Sequence, residues 1–154
     1  MNPPQPQPLD DVDKAIISEL QHDGRISYAD LAPRVGLSPA ATRQRVQRLL
    51  DDGTVQVVGV TDPQRLGYPT TAMLGVNVDG DIRAAADTIS AIDGVIYLVL
   101  SAGSFDLLVE VIASDPEALF ALVNDEVRHV EGVRSVESFL YYSIHTHRFG
   151  WPVR

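Results

Sequence analysis

Gly36-Leu37-Ser38-Pro39-Ala40-Ala41-Thr42-Arg43-Gln44-Arg45-Val46-Gln47-Arg48-Leu49-Leu50 reads as a sharp turn followed by a helix. Ser38 is a good N-cap, because its hydroxyl can accept from an orphan amide of the first turn, and Pro39 then occupies the first helical position, where no amide is needed. At 100° per residue, Thr42, Val46, Leu49 and Leu50 fall on one face. Ala40, Ala41, Gln44, Gln47 and Arg48 point away, with Arg45 at the edge of that outer face. Small residues in the first exposed turn allow close approach to a surface, and Gln and Arg have the donor geometry that suits base edges or phosphates. These are the features of a recognition helix.

The preceding segment supports this reading. Ser27 caps a short helix over Tyr28 to Arg34, with Asp30 three residues on as an imperfect capping box and Gly36 as a left-handed stop. Two helices joined by Val35-Gly36-Leu37-Ser38 make a helix-turn-helix. Pro33 is the misfit: it removes the bond to the carbonyl of Ala29 and is expected to turn the last turn partly 3₁₀. From Leu31 to Leu50 there are four arginines (Arg34, Arg43, Arg45, Arg48) and no acid, in a chain of formal net charge -9. A basic face on an acidic chain marks a nucleic-acid surface more sharply than a basic average would. An ordinary solvated helix pair can also carry arginines, but turn, caps, small residues and charge together favour DNA.

With 154 residues, 45% of them hydrophobic, the chain has enough for one large domain or two small ones. It has no cysteine, so neither disulfides nor thiolate metal sites are available. Met1 to Pro8 (Met-Asn-Pro-Pro-Gln-Pro-Gln-Pro) has no signal-peptide pattern and reads as a disordered tail, and no apolar run is long enough to span a bilayer; a cytosolic protein is expected. Residues 9–53 form the expected helix-turn-helix, winged-helix-like domain. Its first helix is capped by Asp10, has Val12, Ile16, Ile17 and Leu20 inward, and ends at His22-Asp23-Gly24. Residues 54–71 form a linker: a β-branched strand from Thr54 to Thr61, then the breaker-rich Asp62 to Pro69. Such a strand exposes an edge, and pairing with its copy in a second chain would set two recognition helices on one duplex.

Residues 72–154 alternate in a βαββαβ order. Strands are expected at Ala72–Val78, Val95–Ser101, Phe105–Ala113 and Val133–Thr146. One helix spans Asp81–Asp93, with Ile82, Ala85, Ala86, Ile89 and Ile92 inward. A second opens at Pro116, with Leu119, Phe120, Val123, Val127 and Val130 on one face. The fold class is therefore α+β, an N-terminal helix-turn-helix followed by a ferredoxin-like sandwich with two helices on one face of a four-stranded antiparallel sheet. Strands apolar on both sides predict that the bare sheet face meets a second copy. Trp151-Pro152 suits the same kind of interface.

Leu9-Asp10-x-x-Asp13, Asp23-Gly24-Arg25, Val35-Gly36-Leu37-Ser38, Arg45-Val46-x-x-Leu49, Leu66-Gly67 and Ser101-x-Gly103-x-Phe105-Asp106, in this order and spacing, resemble the leucine-responsive/asparagine regulator family (Lrp/AsnC, feast/famine regulators) over nearly the whole chain after Pro8. The resemblance implies a prokaryotic DNA-binding transcriptional regulator with a RAM-type effector and oligomerisation domain. It further implies homodimers that assemble to octamers, and an amino-acid-type effector bound between dimers. Carried onto this sequence, DNA contacts fall on Ser38, Ala40, Gln44, Arg45 and Arg48, with Arg34 and Arg43 on phosphates; Gln44 suits an adenine edge.

The implied effector site comprises Ser101, Gly103, Ser104 and Asp106, with Phe139, Leu140 and Tyr141 on the last strand. Asp106 can accept an effector's ammonium, and the amides of Gly103 and Ser104 can hold its carboxylate. Equally, Asp106 can satisfy nearby amides and Gly103 can serve the turn, while Phe139 fits a core position. No cofactor and no metal site are expected: His145 and His147 share one strand face, but read best as a polar strand end. Two other functions fit the architecture. One is an enzyme like certain tetrapyrrole decarboxylases, against which stands the lack of an acid/base constellation beyond those histidines. The other is a ligand-sensing or assembly module that does not bind DNA.

Overall fold

The computed structural model describes residues 8–146 and 150–153; the expected tail, except Pro8, and His147 lie outside them. The chain forms two compact units, one of residues 1–60 with 146–154 and one of residues 61–145. Residues 150–153 fall with the first of these units by their contacts.

The first unit holds three helices. Asp10 opens α1 (Asp11–His22) through a reciprocal capping box, accepting from the Asp13 amide (2.8 Å) while Asp13 accepts from the Asp10 amide (3.3 Å). Ser27 caps α2 (Tyr28–Arg34), its hydroxyl accepting from the Asp30 amide (3.1 Å) and donating to the Asp30 carboxylate (2.6 Å). Asp30 therefore binds the hydroxyl instead of closing a full box. The 3₁₀ turn expected at Pro33 does not form: α2 stays α-helical to Arg34, and the bond that proline forgoes lies at Ala29, an exposed residue where water can take its place. Gly36, at φ +70°, makes the left-handed stop, and α3 (Pro39–Asp51) follows. Ile16, Ile17, Leu31, Val46 and Leu49 form the core, joined by Val153 from the end of the chain. Trp151 beside it is 80% exposed.

Residues 54–61 form no strand, since a strand needs a hydrogen-bonded neighbouring strand and this segment meets none among the described residues. Val57, Val58 and Val60 are exposed along it.

The second unit follows the expected order: β1 (Thr70–Val78), α4 (Ile82–Ser90), β2 (Val95–Leu100), β3 (Leu107–Ala113), α5 (Pro116–Ala121) and β4 (Val133–Leu140). The sheet runs β2-β3-β1-β4 with every pair antiparallel. Ala72, Leu74 and Val76 of β1 and Leu107, Val109 and Val111 of β3 meet Ala85, Ile89 and Val127 in a dry core under the helices.

Two expectations need correction. β4 ends at Leu140 rather than Thr146, because its partner β1 begins at Thr70: Leu140 pairs with Ala72, the Tyr141 amide reaches the Thr71 carbonyl, and no further β1–β4 pairing follows among the described residues. The helix after Pro116 passes through a π turn (Leu122–Glu126) and a 3₁₀ turn (Val127–His129); Leu119, Val123 and Val127 are buried as expected and Leu122 joins them, but Phe120 is 66% exposed. Phe120 stands about 100° around the helix from Leu119, too far to share its buried stripe.

Gly94 turns the chain between α4 and β2 at φ +90°, and a Cβ there would lie 2.8 Å from the Ile112 carbonyl oxygen and 2.9 Å from Leu122. Gly94→Ala is therefore expected to destabilise the protein by about 1–3 kcal/mol, read as a lower urea midpoint for loss of β-structure.

Candidate DNA-reading helix and effector turn

α3 is fixed by its inner face and left open on its outer one. The Ser38 hydroxyl accepts from the Ala41 amide (3.3 Å), and Thr42, fully buried, donates to the Ser38 carbonyl (3.0 Å). Val46 and Leu49 anchor the helix in the core. Ala40, Arg43, Gln44 and Gln47 are exposed, and with Arg48, Asp51 and Asp52 they line a shallow depression. Gln47 donates to Asp51 (2.8 Å), leaving Arg43 and Gln44 as the long polar side chains nearest the helix start. The predicted facial division is the observed one for Thr42, Val46, Leu49, Gln44 and Gln47.

Three of the four arginines are committed to carboxylates of α1 and its cap. Arg34 pairs with Glu19 (2.8 Å). Arg45 donates from one terminal nitrogen to both Asp10 (2.6 Å) and Asp13 (2.9 Å), and Arg48 donates to Asp13 (2.6 Å). Asp13 is 1% exposed; its Oδ1 takes both arginines and its Oδ2 the Asp10 amide. Burial pushes the Asp13 carboxyl up, but hydrogen bonds from Arg48 and Arg45 outweigh it and hold the group below the ordinary carboxylate range. Asp10 is lowered too, first by the Asp13 amide and then by Arg45. Arg43 is the one arginine of the four without an ion pair among the described residues. The sequence marked Asp13 only as part of a motif; its signal was an acid at the third helical position, facing arginines three apart on another helix.

The turn between β2 and β3 is tightly bonded within itself. Ser101 donates through its hydroxyl to the Phe105 carbonyl (2.6 Å) and through its amide to the Asp106 carbonyl (2.8 Å). The Asp106 amide reaches the Val76 carbonyl (3.0 Å), and its carboxylate Oδ2 accepts from the Val78 amide (2.9 Å), so the role of satisfying nearby amides is realised. Gly103, at φ +149°, and Ser104 are exposed at the tip.

The Phe105 ring lies over Gly75, where any Cβ would approach it to 2.7 Å, and meets Phe139 edge-on with centroids 6.0 Å apart. Phe139 pairs with Met73 on this open sheet face, half exposed rather than in the core. Tyr141 lies against Glu110, and burial, then that carboxylate's charge and hydrogen bond, push its phenol up. Leu140, paired with buried Ala72, is directed to the opposite side of the sheet and does not join this group. Phe105 and Gly75 were missed as site residues, although a glycine within an apolar strand is a sign of close approach. His145 is exposed, and no cluster of potential metal ligands occurs among the described residues.

Comparison with known proteins matches residues 9–50 to the AsnC-type helix-turn-helix domain and residues 71–150 to the Lrp/AsnC ligand binding domain. The chain belongs to the Lrp/AsnC family. Within it, the regulator is 33% identical to the transcriptional regulator LrpA1 of Halobacterium salinarum, over 83% of this chain and 92% of that one. Among solved structures it is similar to a Neisseria meningitidis transcriptional regulator in complex with L-Met (TM-score 0.85, 26% identity, 94% of this chain and 97% of that one). It is also similar to the leucine response regulatory protein LrpA of Mycobacterium tuberculosis (TM-score 0.83, 26% identity, 95% and 100%). This is a helix-turn-helix transcriptional regulator with a ligand-binding domain, not an enzyme. No helix among the described residues is long and apolar enough to cross a membrane.

Because Asp13 and Asp10 titrate below the ordinary carboxylate value when folded, their stabilisation is complete above about pH 4 and disappears as the pH falls through the lowered folded values. Thermal melts between neutral and acid pH are expected to fall more steeply below about pH 4 for the native chain than for Asp13→Asn, which has no carboxylate at this position to protonate.

Proposed function

We propose that this regulator binds operator DNA sequence-specifically through the first turns of α3, with Gln44 reading a base edge, Arg43 on phosphate, and Ser38 and Ala40 admitting the backbone closely. The observation that carries this is the exposed row Ala40, Arg43, Gln44 on a helix whose opposite face is locked into the core. Arg34, in a solvent-exposed pair with Glu19, can exchange that carboxylate for a phosphate at little cost. Arg45 and Arg48, also implied by the family resemblance, are held by carboxylates. DNA binding in the cytoplasm distinguishes this function from an assembly module with an inert head.

The same reading places a small amino-acid effector at the Ser101–Asp106 turn. Asp106 Oδ1 accepts no hydrogen bond among the described residues and can take an ammonium. Gly103 and Ser104 offer exposed amides for a carboxylate, and Phe105 with Phe139 an apolar wall. The L-Met complex of the Neisseria relative supports this ligand class. Exposed Tyr97 and Phe139 on the open sheet face support homodimers joined there, with further assembly to octamers. The effector acts by binding one assembly better than another.

Thermal unfolding of the full chain against each of the twenty amino acids tests the effector: a shift growing with concentration is expected for one of them, worth about 2.7 kcal/mol at a hundred times its dissociation constant. Asp106→Asn keeps the acceptor for Val78 and is expected to abolish the shift while leaving DNA affinity intact; an undiminished shift removes Asp106 from the site. Gln44→Ala is expected to cost about 1–3 kcal/mol of binding to a selected operator and little on random duplex, measured by fluorescence anisotropy. Equal losses on both would mean that Gln44 does not read sequence.

A further inference from the structure

We infer that Asp13, with Asp10, is a positioning residue that withholds Arg45 and Arg48 from DNA phosphates, so that the recognition helix discriminates sequence against a weak non-specific background. The inference rests on α3 being the DNA-facing helix. Between Leu9 and Val60 the head carries eight acidic and six basic side chains, so it has no general excess of positive charge to draw it to DNA. Its densest positive group is Arg43, Arg45 and Arg48 on α3, and there two guanidinium charges meet two carboxylates at 2.6–2.9 Å.

These pairs do not resemble a solvent-exposed pair that exchanges freely. The Asp13 side chain is 2% exposed beneath arginine side chains that are 32% and 33% exposed. A phosphate that pulled an arginine away would leave the Asp13 carboxylate buried with its compensation reduced, and an unpaired buried charge is among the costliest faults a fold can carry. The same carboxylate also accepts the Asp10 amide that closes the cap of α1, so moving it loosens a helix start as well. The pairing thus cancels charge and fixes α3 on α1 at once. What remains for phosphates is Arg43 and, through its exposed pair, Arg34. Sequence-independent affinity and its salt dependence both scale with the number of phosphates neutralised, about 0.9 in slope per contact. A head with one or two such contacts has a shallow slope and a correspondingly high ratio of specific to random binding.

The test uses the purified full chain, a random-sequence duplex, and a duplex selected by the native protein from a random pool, with affinities followed across a KCl series. Asp13→Asn is expected to bind the random duplex several-fold more tightly at low salt. It should also steepen the slope by about one to two per head and lower the selected-to-random ratio. Arg48→Gln is expected to lower the thermal midpoint without flattening the slope. If Asp13→Asn fails to fold by circular dichroism, Asp10→Asn serves instead: asparagine caps a helix as well as aspartate, and relaxing one contact of Arg45 is expected to give a smaller steepening of the same sign.

Weaker binding of both duplexes by Asp13→Asn at unchanged slope, or a flatter slope in Arg48→Gln, would overturn the inference. Arg43→Gln separates this from the underlying reading. If it flattens the native slope, α3 faces DNA and only the withholding of Arg45 and Arg48 has failed. If it does not, or if the native chain holds neither duplex at low salt, the DNA-facing assignment falls and the inference with it.

Discussion

The carboxylate of Asp13 is the interaction on which the DNA-binding head depends. Three donors converge on it: the amide of Asp10, and the guanidinium groups of Arg45 and Arg48. A small three-helix unit has little apolar surface to bury, and its core centres on a few side chains such as Ile16, Leu31 and Leu49. Hydrophobic contact alone leaves such helices free to slide, because it has no direction. A buried acid with geometrically fixed donors supplies direction, joining the start of α1 to the middle and end of α3. Charged side chains on a DNA-facing helix can therefore have their main work in the fold.

The ligand-binding unit is organised by a different constraint, the close approach of Phe105 to Gly75. β1 lies inside the sheet between β3 and β4, so its core face is dry, and its other face carries an aromatic ring directly on the backbone. That stacking carries the β2–β3 turn toward Phe139, while Asp106 ties the same turn to Val78. An aromatic wall, a carboxylate oxygen and exposed turn amides then belong to one short segment. These are the three kinds of surface that the proposed amino-acid effector would use.

Much of this was legible from residue spacing. Ser38-Pro39 marked the start of the recognition helix, and the positions of Thr42, Val46 and Leu49 marked its buried face. The βαββαβ order followed from apolar strand runs such as Ala72–Val78 alternating with a helical face of Ile82, Ala85, Ala86, Ile89 and Ile92. What escaped were features set by partners distant in sequence. β4 stops where β1 begins, which no local pattern in residues 141–146 encodes. Phe120 lies beside Leu119 in sequence but about 100° around the helix, so the buried stripe passes it by and runs on through Leu122. The pairing of Arg45 and Arg48 with residues more than thirty positions earlier depends on how α1 crosses α3. Periodicity reports which face is polar. It does not report which of the polar groups are already spoken for.

Val153 returns to pack with the helix-turn-helix core, so residues 150–153 belong to the same compact unit as α1. The sheet domain is in this sense an insertion between two pieces of the head. A fusion or truncation at the carboxyl end therefore acts first on the unit that meets DNA.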